Sequence, residues 1–175
     1  MTNHIHILLR QEKKNLTSAM QSLFTRYALY FNKKYFRKGH LFAGPFRQAC
    51  CFNEHYFISA SVYIHLNPER AGLIPRGGRY RWSTWDLYCR EKEIKSFVDW
   101  KFILRLIHKR YPEAKKKYRE LINRARDFKI DEVLEEKRAI GKLSIWIRKN
   151  FPGLVQYERE EDDTIFSEGF IDDRE

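Results

Sequence analysis

The chain has 3 cysteines in 175 residues, and they form no pattern: Cys50 and Cys51 are adjacent and Cys89 stands apart. An odd count without metal-ligand spacing excludes a disulfide framework or a zinc ribbon. The three read as small apolar residues of a reducing compartment. No window approaches the roughly twenty apolar residues of a membrane-spanning helix, and the start lacks the basic-then-apolar pattern of a leader. The expectation is a cytoplasmic chain with no membrane partner. Internal repeats and a glycine-rich phosphate loop are also missing, which removes solenoids and nucleotidases of the P-loop type.

What the chain does have is apolar mass and positive charge. With 43% apolar and 15% aromatic residues it has enough for a packed core. Net charge is +11, distributed unevenly: the last eighteen residues, 158–175, hold nine acids and two arginines, net −7, leaving +18 on the first 157. A segment that basic suits a polyanion bound with strong salt dependence, although lysines that merely solvate a surface give the same count. The acidic tail reads as disordered.

Two stretches carry chemistry. Asn3-His4-Ile5-His6-Ile7-Leu8-Leu9-Arg10 reads as a strand whose period of two places His4 and His6 on one face, and the Ile7-Leu8-Leu9 run suggests burial on both sides. A rigid pair of imidazoles suits a metal; a short His-x-His pair is equally met as hydrogen-bonded core histidine. Sixty residues on, Asn53 is a good N-cap for a helix that Pro68 should end at Asn67. Tyr63 and Asn67, four apart, lie on one face of it, in a stripe with Tyr56, Ser59 and Ala60. Phe57, Ile58, Val62 and Leu66 take the other side. His65 is about 200° round from Tyr63 and should face the core.

Together these motifs resemble the HUH-class single-tyrosine transposases, in particular the REP-associated tyrosine transposase (IS200-like) branch. Asn3-His4-Ile5-His6 and Tyr63-Ile-His-Leu-Asn-Pro-Glu-Arg-Ala-Gly72 carry the likeness, with supporting blocks at Tyr30-Phe31-Asn32, Arg37-Lys-Gly-His-Leu-Phe42 and Tyr80-Arg-Trp-Ser-Thr84. It covers residues 3 to 89. The resemblance implies an α+β fold, a central antiparallel sheet of ferredoxin-like or RRM-like type with helices packed on it. Residues 1–92 would form the catalytic core, 97–157 a helical accessory region, and 158–175 the acidic tail. Family members carry further residues before the His-x-His strand, which supply a strand and a helix; here Met1 lies three residues from His4. The core is therefore expected to be incomplete at its N-terminus, with an open sheet edge that leads either to pairing with another chain, a homodimer being one such case, or to loss of stability.

The same resemblance implies that His4 and His6 bind Mg²⁺ or Mn²⁺ with Asn67 as third ligand. Imidazole donors favour Mn²⁺. Tyr63 would attack a DNA phosphate to give a 5′-phosphotyrosine, so the chain would cleave and rejoin single-stranded or hairpin DNA. A free phenol titrates near pH 10, so Tyr63 needs help from the metal or from a cation such as Arg70. The alternative is a catalytically inactive DNA-binding module or repressor of the same descent.

The remaining segments fit around this. A helix is expected from Asn15, with Leu16, Met20, Leu23, Phe24, Tyr27 and Phe31 in one apolar stripe against the sheet. The loop 34–40 interleaves Arg37, Lys38 and His40 with aromatics, which suits base stacking and phosphate contact, or a packed loop with solvated cations. Leu41 to Phe52 reads as a strand carrying Arg47. Arg70, Arg76, Arg79 and Arg81 complete the candidate DNA contacts, the last three in a glycine-permitted basic and aromatic stretch. Helices follow after Ser83, from Asp99 to Tyr111, from Pro112 to about Phe128, and over 131–138 and 141–150, with Ile140, Leu143, Ile145 and Ile147 available to a core.

Overall fold

The computed structural model describes residues 4–11, 14–91, 94–129 and 136–156. The acidic tail expected at 158–175 and most of the helix expected at 131–138 lie outside them. Among the described residues the regular structure is helix alone: α1 Leu16–Lys34, α2 Glu54–Arg70, α3 Trp85–Cys89, α4 Trp100–Ile107, α5 Tyr111–Ala125 and α6 Glu136–Asn150. The expected α+β architecture with its central antiparallel sheet is overturned, since residues 4–11 and 45–52 have no regular structure. Alternating apolar residues only propose a strand. The hydrogen-bonded ladder with a neighbour is what makes one, and no described segment supplies that neighbour. Ile5, Ile7 and Leu9, the row that a layer packed on a sheet would bury, are 59%, 45% and 49% exposed.

The chain divides into two compact units, one of residues 7–50 and one combining the first six residues with everything from Cys51 onward. In the larger unit α2 packs along α6 and also meets α4 and α5, while α3 lies on α4 and α5. Ile58, Val62 and Leu66 of α2, Leu104 and Ile107 of α4, Tyr118, Leu121 and Ile122 of α5, and Leu143 and Ile147 of α6 are all buried. Burying a side chain of this size contributes about 1.5–3 kcal/mol, so this one cluster holds the unit together.

Local signals explain the helix ends. The Asn53 side chain accepts the Tyr56 N–H at 2.8 Å, and Asp99 accepts the Phe102 N–H at 3.2 Å, each satisfying an orphan donor of a first turn. Pro68 does not stop α2, which continues to Arg70. Proline forfeits one bond to the preceding turn. The final turn is still closed by Ala71 N–H to Asn67 C=O and Leu73 N–H to Pro68 C=O, both 2.9 Å. Nor does Gly141 divide α6, which is one helix from Glu136 to Asn150. An interior glycine costs about 1 kcal/mol against alanine, less than the burial of Ala139, Leu143 and Ile147 returns. Ile145, two positions from the buried row, is exposed.

The smaller unit is built on α1. Its aromatics touch one another, Phe24 with Phe42 at 4.8 Å and Phe31 with Tyr35 at 4.5 Å between ring centroids. Only Met20 of the expected apolar stripe is buried; Leu23 and Tyr27 are exposed. The stripe follows helical spacing, but the described residues form no sheet for it to cover.

Candidate metal and nucleophile site

Residues 4–6 belong to the same unit as α2, and His6 stands at the face that α2 turns toward it. Asn67 Nδ2 lies 2.5 Å from His6 Nε2, and His4 Nε2 lies 3.2 Å from the same atom. The rings of His6 and Tyr63 meet edge-on with centroids 6.1 Å apart. Tyr63 and Asn67 share that face because they are one helical turn apart. The structure therefore brings together His4, His6, Tyr63 and Asn67 without the expected strand.

A fifth group joins them. Glu136, the first described residue of α6, places Oε2 3.7 Å from His6 Nδ1, and His4, His6 and Glu136 each offer a ligand atom within 4.8 Å of the others. Tyr56 Oη donates to the Lys137 carbonyl at 3.2 Å and so ties the first turn of α6 to α2. Sequence reasoning missed Glu136 because it lies far along the chain, in a stretch rich in exposed acids and bases. No spacing rule links it to residue 6.

The electrostatics of the site follow from partial burial. His6 is pushed below its usual range, first by desolvation and further by the neighbouring His4, while the Glu136 carboxylate pulls the other way. It is thus neutral near pH 7, the form that offers a lone pair. Burial raises Tyr63, and the charge of Glu136 raises it further, whereas Arg70 lowers it. The Arg70 guanidinium lies 6.0 Å from the Tyr63 ring centroid. Its Nη2 reaches the carbonyls of Ala125 and Phe128 at 3.3 and 3.5 Å, and its Nη1 is buried with no hydrogen-bond partner among the described residues.

The donor set fits a divalent cation. His6 Nε2 has one lone pair, yet both an amide N–H of Asn67 and the His4 ring converge on it. A cation between them would accept pairs from both imidazoles. Turning the Asn67 amide over, which exchanges its oxygen and nitrogen, would add an oxygen donor. His65 is not part of this cluster. It is buried on the opposite side of α2, with Nδ1 2.8 Å from Tyr118 Oη and Nε2 2.9 Å from Thr84 Oγ1.

The candidate DNA contacts fall into three groups. Arg37, Lys38, His40 and Arg47 belong to the smaller unit, where Arg37 lies 5.8 Å from the Phe31 ring centroid and the other three are exposed. Phe36, next to Arg37 in sequence, has φ 53° and is 97% exposed. In the larger unit Arg76 pairs with Asp127 at 2.6 Å and Arg79 pairs with Asp86. Arg81 stacks on the exposed Trp82 ring at 4.8 Å. Among the described residues no helix is long and apolar enough to cross a membrane. Compared with protein-family models, curated proteins and solved structures, the chain matches none.

Proposed function

We propose that this chain is a metal-dependent DNA strand transferase that cleaves and rejoins single-stranded or hairpin DNA through Tyr63. The observation that carries the reading is the meeting of His6 with Asn67 at 2.5 Å and with the Tyr63 ring at 6.1 Å, across more than fifty residues of chain. These are the residues that the likeness to single-tyrosine transposases singles out, and they come together although the described residues form no sheet.

His4, His6 and Asn67 would hold Mg²⁺ or Mn²⁺, which supplies charge neutralisation at the scissile phosphate. The chain's own residues do the rest. The Tyr63 oxygen attacks phosphorus, the bond from phosphorus to the 3′ oxygen breaks, and the proton lost by the phenol is balanced by the one the 3′ hydroxyl takes up. The product is a 5′-phosphotyrosine, and rejoining is the reverse step, with no nucleotide cofactor consumed. Arg70 favours the ionised phenol. Arg81 on Trp82 offers an aromatic face with a cation beside it, and Phe36 offers an exposed ring, both suited to unpaired bases. A cytoplasmic location suits such a substrate, and a homodimer would bring two tyrosines to two strand ends.

A labelled hairpin oligonucleotide incubated with Mn²⁺ tests the reading. A covalent adduct, lost in Tyr63→Phe, is expected. Salt-dependent binding with no adduct would instead identify a DNA-binding module without chemistry, and absence of both would remove DNA as the partner.

A further inference from the structure

We infer that Glu136 is a positioning residue for the metal site, a carboxylate that fixes the ring of His6 from behind so that Nε2 faces the cation. The inference rests on the metal reading above and adds a group from α6 that neither the motifs nor their spacing indicate.

The geometry separates two roles for Glu136. The two ring nitrogens of an imidazole point in nearly opposite directions. His6 Nε2 is turned toward His4 and Asn67, and Nδ1 is turned toward Glu136. A cation shared by the two Nε2 atoms therefore sits on the far side of the His6 ring from the nearer Glu136 oxygen. Their 3.2 Å separation is what two nitrogens on one ion require, since each metal–nitrogen bond is about 2.1 Å. Glu136 then acts through His6.

The tautomer argues the same way. A cation on Nε2 takes that nitrogen's lone pair and leaves the ring proton on Nδ1. The Nδ1–H then needs an acceptor, and the Glu136 carboxylate is 3.7 Å away. This is longer than a hydrogen bond, but the Glu136 side chain is 58% exposed and can swing inward, whereas His6 is held at 13%. A carboxylate behind a ligating histidine raises its basicity and locks its orientation, and losing one costs about 10–100-fold in metal affinity. Its place is set by packing: Ala139, Leu143 and Ile147 are buried, and Tyr56 holds the Lys137 carbonyl.

The full chain is titrated with Mn²⁺, free ion being read by electron paramagnetic resonance, and thermal unfolding is followed in metal-free buffer. Glu136→Ala is expected to weaken Mn²⁺ binding by about 10–100-fold with an unchanged metal-free midpoint. Glu136→Gln, which keeps an acceptor without the charge, should fall between that variant and the parent. Binding by Glu136→Ala within twofold of the parent overturns the inference alone and leaves the Tyr63 reading standing. Should the alanine variant lose midpoint as well, Glu136→Gln decides: weakened binding with an intact midpoint supports positioning, and parental binding overturns it. A parent chain that binds no Mn²⁺ removes the metal reading and this inference together.

Discussion

Asn67 places its side-chain amide 2.5 Å from His6 Nε2, joining two residues sixty-one apart in sequence. That contact anchors an irregular terminal segment to a helix whose outward face carries Tyr63. It does the work expected of a strand in holding His6, with one side chain in place of a ladder.

Asn67→Ala removes the anchor together with the oxygen donor. Mn²⁺ affinity is expected to fall by at least tenfold. Because Asn67 is half-buried at the edge of the bundle, the metal-free unfolding midpoint should move by only a few degrees. Calorimetric Mn²⁺ titration beside a thermal melt checks both halves. A variant that binds Mn²⁺ like the parent would take Asn67 out of the site.

The buried network around His65 makes stability acid-sensitive. Desolvation pushes His65 down to about 3 from an ordinary 6.5. With the folded value depressed, the unfolded chain takes up the proton first. The stabilisation is complete above about pH 6.5 and is lost as pH falls toward 3, the loss reaching about 3 kcal/mol by pH 4.5. His65→Gln should be less stable than the parent at pH 7 but show a flatter acid limb in urea unfolding between pH 7 and 4.5. Parallel limbs would place the acid sensitivity elsewhere.

Phe36 sits at φ 53° with its ring in water, a conformation that costs a non-glycine residue about 1–2 kcal/mol. Phe36→Gly should relieve that strain while removing a surface for a base. Affinity for single-stranded DNA is expected to drop by roughly tenfold or more, since stacking is worth about 1–3 kcal/mol per base. Fluorescence anisotropy with a labelled oligonucleotide measures the loss, and unchanged affinity would exclude Phe36 from the contact surface.

The cysteines should separate by reactivity. Cys89 is buried and its thiol is pushed up to about 12, chiefly by desolvation, while Cys50 is exposed. Iodoacetamide at pH 8 should label Cys50 in the native chain and reach Cys89 only after denaturation, as read by peptide mass. Equal labelling of the two would mean that α3 does not stay packed.

Much of the helical structure was legible because its signals are local. Asn53, Asp99 and Pro112 mark helix starts by satisfying or dispensing with first-turn donors, and these lie within one turn of the residues they serve. The turn angle that sent His65 away from Tyr63 is likewise a property of one helix. The sheet misled because a strand depends on a partner, and neither the spacing of His4 and His6 nor the Ile7-Leu8-Leu9 run says whether one is present. Pro68 misled as a stop, and Gly141 as the start of a separate helix, because buried neighbours outweigh a lost bond or a flexible residue. Glu136 was illegible since its approach to His6 is produced by α6 lying along α2, and the exposed Ile145 shows that even the inward row of α6 needed its partner to be read.

The unequal burial of the two units sets an order of opening. Met20 is the only buried side chain on α1, whereas α5 buries Tyr118, Leu121, Ile122 and Ala125. Amides of α1 should therefore trade hydrogen for deuterium through cheap local excursions, and those of α5 only through near-global unfolding. Among the described residues, a protease offered the native chain will cut α1 far sooner than the helices that carry Tyr63 and Glu136.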